Sequence, residues 1–137
     1  MTDRFLKVVG VLLVIFSVQP TLSYAESIGT AMKYYSESGA LSFDASRGEQ
    51  FWRQKHTAED GSQRSCGTCH GDDLKASGKH KKTGKVIDPM ALSVNAERYT
   101  KMKKVKKWFK RNCKWTLGRE CTNQEKGDVL QYLSQFK

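Results

Sequence analysis

The sequence predicts a small all-α domain, and three segments with helical spacing are the basis of this prediction. Two of them begin with a capping box, Ser46-x-x-Glu49 and Thr122-x-x-Glu125, which satisfies backbone N–H groups at the start of a helix. The third segment, Thr100 to Cys121, carries its apolar residues on one helical face. Without a cleavable start the chain has about 112 residues, so we expect one domain with a single core.

The first 25 residues have the pattern of a secretory signal peptide. Arg4 and Lys7 precede an apolar run from Val8 to Val18, and small residues stand at Ser23 and Ala25. This run of eleven residues is short of the ~20 that cross a bilayer. We therefore expect cleavage after Ala25, export to the periplasm and no stable insertion in a membrane.

The mature chain is basic. Without Asp3, Arg4 and Lys7 it has 22 basic and 13 acidic residues, a formal charge of +9. An exported chain rarely meets nucleic acid, so this charge favours an acidic protein partner or a membrane surface.

The decisive motif is Cys66-Gly67-Thr68-Cys69-His70. Cys66 and Cys69 have the spacing at which two thiols add to the vinyl groups of one haem, and the adjacent His70 then binds the iron as the proximal ligand. A redox disulfide or half of a zinc site would leave His70 without a role, and no second pair of cysteines has the spacing of a zinc site. The motif therefore predicts one covalently attached haem c.

The predicted helices form a frame for this haem. Residues 46–56 form a first helix with Gly48, Phe51 and Trp52, and a terminal helix follows Thr122. Gly48 lets the two helices cross closely, as in class I cytochromes c, which predicts a class I cytochrome c-like fold wrapped round the haem. We expect residues 46–137 to form the cytochrome c domain and 26–45 to form an N-terminal leader, a loose helix or an extended arm.

A loop with little apolar pattern joins the haem motif to the next helix. Residues 71–88 are rich in Lys, Gly and Ser and predict a surface loop, in which His80 is a solvated histidine rather than an iron ligand. Pro89 follows the loop and is expected in the haem pocket. In class I cytochromes c a proline carbonyl at this point accepts a hydrogen bond from the proximal histidine, which raises the basicity of the ligand.

The segment from Thr100 to Cys121 is an amphipathic helix with one anomaly. Its polar amide Asn112 ends the apolar stripe, and a buried amide without a partner costs about 1 to 3 kcal/mol, so the iron is a candidate partner. Trp108, Phe109 and Trp115 are expected to exclude water from the pocket. The stripe contains Met102, Val105, Trp108, Phe109 and Asn112, and the other faces carry Lys101, Lys103, Lys104, Lys106, Lys107, Lys110 and Arg111.

Cys113 and Cys121 are expected to form a disulfide in an oxidising compartment. Closing a loop of about nine residues removes roughly 2.6 kcal/mol of chain entropy from the unfolded state. The bridge begins beside Asn112, so it is expected to help fix this residue relative to the iron.

These segments together resemble the sphaeroides haem protein family of high-spin cytochromes c, and the related cytochrome c double-prime. The resemblance is carried by Cys66 to His70, by the sequence from Lys107 to Cys113, by Trp115, and by Gly118 to Thr122 and Glu125 to Asp128. It implies that Asn112 is the sixth ligand of oxidised iron, that Cys113 pairs with Cys121, and that the sixth ligand leaves on reduction. It also implies that ferrous haem binds O2, NO or CO, and that the redox partners are a dihaem cytochrome c and a membrane cytochrome b.

Two other functions remain open at this point. A conventional electron carrier would use methionine as the sixth ligand, and Met102 and Met90 are the candidates. Met102 and Asn112 lie ~15 Å apart along a helix, so both cannot reach one iron. A haem enzyme such as a peroxidase or oxygen reductase would need a distal acid or base, for which Arg98, Arg111 and His80 are available without a compelling position.

Overall fold

The computed structural model describes residues 24–40, 42–58 and 60–137. The predicted signal peptide lies outside these residues except for its last two, Tyr24 and Ala25. No helix within the described ranges has the length and apolar character needed to span a membrane. The elements in chain order are α1 Tyr24–Glu37, α2 Ala45–Arg53, β1 His56–Thr57, β2 Gln63–Arg64, α3 Gly67–His70, β3 Gly78–Lys79, β4 Val86–Ile87, α4 Met102–Leu117 and α5 Asn123–Leu133.

The prediction of an all-α domain is confirmed, because the helices form the core and the strands are two-residue ladders. β1 pairs with β2 and β3 pairs with β4, both antiparallel. The first hairpin stands between α2 and the haem motif, and the second lies in the segment predicted as a loop. That segment also contributes to the core, since Leu74 is buried.

Helix α5 is the centre of the core and packs against both α1 and α2. The capping box at its start is confirmed: the Thr122 hydroxyl accepts a hydrogen bond from the Glu125 N–H, and the Glu125 carboxylate accepts one from the Thr122 N–H. Val129, Leu130, Tyr132 and Leu133 are all buried. The local start signal and the tertiary packing therefore agree.

The close crossing of α2 and α5 at Gly48 is also confirmed. A Cβ atom on Gly48 would lie 2.0 Å from the Asp128 carbonyl oxygen and 2.9 Å from Tyr132 Cβ. Any side chain would separate the two helices.

The start of α2 differs from the prediction. Asp44 caps the helix by accepting a hydrogen bond from the Arg47 N–H at 2.7 Å, so Ser46 lies inside the helix. Glu49 does not complete a capping box with Ser46, since its carboxylate accepts from Arg53 Nε at 3.0 Å. The helix ends at Arg53 because Gln54 adopts an extended ψ of 128° before the hairpin.

The segment predicted as a leader contains a core helix. Ile28, Ala31 and Tyr35 of α1 are each no more than 2% exposed and pack in the same core as α5. The Tyr35 ring meets Phe109 of α4 edge to face, with ring centroids 5.9 Å apart. Helix α1 therefore supports the inner side of α4, the helix that carries Asn112.

Candidate haem-attachment site

Helix α3 is a single turn that places the two motif thiols on one side. The N–H groups of Cys69 and His70 both donate to the Cys66 carbonyl, at 3.3 and 3.2 Å. Gly71 ends the turn with a φ of 76°. Cys66 and Cys69 are partly buried and unpaired. Two free thiols three positions apart on one turn are the arrangement that two thioether bonds require.

Strand β3 packs closely against the backbone of the haem motif. A Cβ atom on Gly78 would lie 2.3 Å from the Cys69 carbonyl oxygen and 2.9 Å from His70 Cα. Glycine is therefore the residue that lets the two backbones touch here. The N–H of Lys81 donates to Cys69 Sγ at 3.4 Å.

The imidazole of His70 is neutral and buried. Burial, and secondarily the charge of Arg98, lowers the pKa of His70 to about 4, so its ring is neutral at pH 7. Its buried Nδ1 has no hydrogen-bond partner among the described residues. The ring packs against Trp52 of α2, with centroids 5.4 Å apart. A neutral, fixed imidazole is suited to bind iron.

The predicted hydrogen bond from His70 to Pro89 is not formed in this structure. The Pro89 carbonyl instead accepts from Asn95 Nδ2 at 3.2 Å. A carbonyl oxygen has two lone pairs, so this bond leaves one of them open. The residues around Pro89 are held by Arg98 and Tyr99: Arg98 donates to the Asp88 carbonyl at 3.1 Å, and the Tyr99 hydroxyl donates to the Met90 carbonyl at 2.9 Å.

The side chains of the two methionine candidates occupy different surroundings. Met90 is buried, and its sulfur accepts a hydrogen bond from Arg98 Nη2 at 2.8 Å. Met102 is partly buried against the core at the start of α4. His80 stays in the turn of the second hairpin, where its Nδ1 accepts from the Thr83 N–H at 3.1 Å.

The apolar stripe of α4 is only partly covered by other protein residues. Val105 is buried and Phe109 packs on the core, but the Trp108 side chain is 50% exposed. The Arg111 guanidinium lies 5.2 Å and the Lys107 ammonium 5.9 Å from the Trp108 ring centroid. Trp108 therefore lies at the edge of the stripe, beside Asn112 on the next turn, and not in the protein core.

Asn112 is partly buried, and its amide has no hydrogen-bond partner within the described ranges. The next residue, Cys113, is 4% exposed and is joined to Cys121 by a disulfide with a Cα–Cα distance of 5.6 Å. The bridge connects the C-terminal half of α4 to the start of α5. Asn112 is thus fixed at its backbone while its amide remains available to a ligand.

Arg64 connects this part of α4 to the haem motif, a role that was not predicted from the sequence. Its Nη1 donates to the Trp115 carbonyl at 3.0 Å, and its guanidinium lies 4.5 Å from the Trp115 ring centroid. Arg64 is two residues before Cys66, and Trp115 is three residues after Asn112. The contact therefore holds the segment entering the motif against the helix of Asn112. Its position just before the motif is the only sequence signal that could have identified it.

Two further buried nitrogen atoms without hydrogen-bond partners were not predicted from the sequence. The buried Trp52 Nε1 and His56 Nε2 have no hydrogen-bond partner in the described part of the chain. Trp52 Nε1 would lie 3.8 Å from a Cβ atom on Gly67. No group of three His, Cys, Asp or Glu side chains in this part of the chain is arranged to hold a metal ion by itself.

The described residues fit a covalently attached haem. The thiols of Cys66 and Cys69 are unpaired on one turn, the adjacent His70 is neutral and buried with an unpartnered ring nitrogen, and the Asn112 amide is unpartnered.

Comparisons with known proteins agree with this fit. Residues 38–133 match the family described as Domain of unknown function (DUF1924). The chain is 36% identical to Cytochrome c-type protein SHP of Cereibacter sphaeroides over 84% of this chain and 88% of that protein. The structure of oxidised SHP, an oxygen-binding cytochrome c, superposes with a TM-score of 0.73 at 35% identity, over 79% of this chain and 96% of that one. Oxidised cytochrome c'' of Methylophilus methylotrophus gives a TM-score of 0.67 at 27% identity, over 83% and 94%.

The helical fold and the Cys66 to His70 motif define a cytochrome c. More particularly, the chain belongs to the DUF1924 family and is a relative of the sphaeroides haem protein SHP.

Proposed function

We propose that this chain is a periplasmic monohaem c-type cytochrome whose sixth iron ligand depends on redox state. Cys66 and Cys69 hold the haem, His70 is the proximal ligand, and Asn112 is the distal ligand of the oxidised form. The observation that carries the proposal is the unpartnered Asn112 amide on a helix that Arg64 and Trp115 hold against the segment entering the haem motif.

The chemistry of an amide makes this ligand switchable. An amide oxygen is a hard, weak donor, so it suits ferric iron better than the softer ferrous state. Asn112 would therefore hold the oxidised iron and leave it on reduction. The haem, when bound, would supply the redox-active iron, which takes its electron from a redox partner, and the site for a small gas such as O2, NO or CO. The oxygen binding of the relative SHP supports this part of the proposal.

The protein part of the site keeps the ligands in place and limits water. His70 is fixed by Trp52 on one side and by the close backbone of Gly78 on the other. Phe109 is held by Tyr35 under α4, and the exposed Trp108 lies next to Asn112. Pro89 lies in a loop that Asn95, Arg98 and Tyr99 hold in place.

The physiological role we propose is electron transfer after export by the cleaved signal peptide. A dihaem cytochrome c and a membrane cytochrome b are the proposed redox partners, with no nucleic-acid partner and no stable membrane insertion. The exposed lysines of α4 supply the charge that attracts an acidic partner. The bimolecular rate of electron transfer should then fall as salt rises, because exposed charges are screened beyond ~10 Å at 0.1 M.

Absorption spectra of the purified holoprotein in both redox states, with and without carbon monoxide, test the proposal. We expect a ferrous form that is five-coordinate, high-spin and rapidly responsive to carbon monoxide. Haem should remain with the chain in acidified acetone, and Cys66→Ala or Cys69→Ala should weaken this retention. A ferrous spectrum that stays low-spin and ignores carbon monoxide would indicate a permanent ligand such as methionine. Rapid peroxide turnover would indicate an enzyme instead.

A further inference from the structure

A cavity lies between α1, α4 and the start of α5, and none of its lining residues belongs to the haem-attachment motif. Its volume is about 360 Å³. Lysines from two helices and tyrosines from a third face it. The residues that matter here are Tyr34, Tyr35, Lys106, Lys110, Asn123 and Lys126.

The cavity has an excess of positive charge. Lys110 pairs with Glu120 at 3.7 Å, an exposed contact at the rim. Lys106 and Lys126 have no carboxylate partner among the described residues, and their ammonium groups lie 4.9 Å from the Tyr34 ring centroid and 5.4 Å from that of Tyr35. Two ammonium groups therefore stand on aromatic faces and keep their hydrogen-bond donors available.

Tyr35 lines the same cavity. Only 2% of the residue is exposed, and its ring packs edge to face against Tyr34 at 5.2 Å and Phe109 at 5.9 Å. Its hydroxyl makes no hydrogen bond within the described ranges, and its oxygen is the part of the residue that stays accessible. Burial, and secondarily the neighbouring Tyr34, raises the pKa of Tyr35 to about 12. The group is therefore an O–H donor at neutral pH.

The start of α5 borders the cavity. Asn123 is the first residue of this eleven-residue helix and ties it to α1 by donating to the Ser38 carbonyl at 2.9 Å. Thr122 and the Glu125 carboxylate already cap this helix start. The attraction for an anion therefore comes from the lysines and the Tyr35 hydroxyl.

We propose that this cavity binds a phosphate group with two negative charges, with Lys106 and Lys126 as charged donors and the Tyr35 hydroxyl as the neutral donor. Ammonium groups bind phosphate strongly through charge-assisted hydrogen bonds. Free phosphate and the monoester headgroup of phosphatidic acid both present this chemistry.

Equilibrium dialysis of the holoprotein against inorganic phosphate, with sodium chloride added to keep the ionic strength constant, tests the proposal. We expect one phosphate per haem. The pair Lys106→Gln and Lys126→Gln should raise the dissociation constant roughly tenfold or more, since bonds to charged groups are lost. The control pair Lys103→Gln and Lys104→Gln removes the same charge from exposed positions outside the cavity and should change it less than about twofold. Tyr35→Phe keeps the ring that packs on Phe109 and removes only the hydroxyl, so it should weaken phosphate binding severalfold.

Vesicles of phosphatidic acid distinguish the two sources of phosphate. Vesicle binding that requires Lys106 and Lys126 and is displaced by free phosphate assigns the site to the lipid headgroup. Saturable binding of free phosphate, with vesicle binding indifferent to these two lysines, assigns it to a soluble anion. If both pairs of lysine substitutions weaken both ligands equally, the cavity is no site and the basic surface acts only through its total charge.

Discussion

The Arg64 guanidinium lies 4.5 Å from the centroid of the Trp115 ring and donates a hydrogen bond of 3.0 Å to the Trp115 carbonyl. Only 18% of the Arg64 side chain is exposed, and its other terminal nitrogen pairs with Asp60. The residue thus joins the first hairpin to the end of α4. Because Cys66 and Asn112 lie within three positions of this contact, it links the proposed attachment point to the helix of the proposed distal ligand.

Replacing Arg64 by Ala should loosen α4 and raise the high-spin fraction of the ferric protein. Loss of the hydrogen bond and the cation–π contact should lower the free energy of unfolding by about 1 to 3 kcal/mol. The matched control is Arg53→Ala, which removes two exposed ion pairs to Glu49 and Asp72 and should cost less than about 1 kcal/mol. Urea unfolding and ferric absorption spectra measure both effects. Equal ferric spectra for the two variants would contradict a positioning role for Arg64.

Replacing Asn112 by Ala should change the ferric spectrum strongly and the ferrous spectrum little, because the amide has already left the iron in the reduced state. Met102→Ala is the control on the same helix. It should leave both spectra unchanged while costing about 2 kcal/mol of stability from lost packing. The measurement is absorption in each redox state. The opposite pattern, with Met102→Ala altering the spectra, would assign the sixth ligand to methionine.

Replacing Cys113 and Cys121 together by Ser should lower stability by about 2 to 3 kcal/mol, since the unfolded chain regains the entropy that the bridge removes. The same change should increase the high-spin fraction of the ferric form, because Cys113, the residue after Asn112, is then no longer bonded to position 121. Denaturant unfolding and ferric spectra measure the two effects. A stability loss without a spectral change would limit the disulfide to a structural role.

Replacing Gly48 by Ala should destabilise the domain by about 3 kcal/mol or more, because the added Cβ would meet the Asp128 carbonyl at 2.0 Å and force α2 away from α5. Gly29 in α1 provides the control, since a Cβ there would meet nothing within 4 Å. Gly29→Ala should be neutral or stabilise the helix by up to about 1 kcal/mol. Thermal unfolding of the two variants checks the contrast.

Stability should fall in acid as Asp128 is protonated. Burial alone would raise the pKa of Asp128, but hydrogen bonds from Arg47, the Asp44 N–H and Gln124, together with the Arg47 charge, lower it below its ordinary value. A lowered folded-state pKa contributes stability above the unfolded pKa of about 4, and this contribution disappears as pH falls through the folded pKa. Asp128→Asn should therefore be less stable than wild type at pH 7, with a gap that narrows below pH 4. The exposed Glu97, replaced by Gln, should show no such gap in urea unfolding.

Local signals explain which parts of the fold could be predicted from the sequence. The capping box at Thr122 involves residues only three positions apart, so it is recognisable in the sequence. The close helix crossing depends on the missing side chain of Gly48, which the sequence also shows. The cap of α2 was misplaced because Asp44 is positioned by a contact distant in sequence, its N–H donating to Asp128 at 2.8 Å. Helix α1 could not be placed because its burial depends on packing against α5 and Phe109.

At the candidate site, the motif from Cys66 to His70 is evident from spacing alone. Trp108 was expected to form the pocket wall because it lies on the apolar stripe of α4; it is half-exposed beside Asn112, and its contact with haem stays a prediction. Arg64 was missed because its role depends on a contact with Trp115, 51 positions away.

The ion pair between Arg47 and Asp128 joins residues 81 positions apart, and this separation affects the order of assembly. Contacts between distant parts of a chain form late, since a long loop must close before they stabilise the fold. Cys66 and Cys69 lie inside that loop. We therefore expect the proposed attachment of haem to these thiols to precede the docking of α5 on α1 and α2.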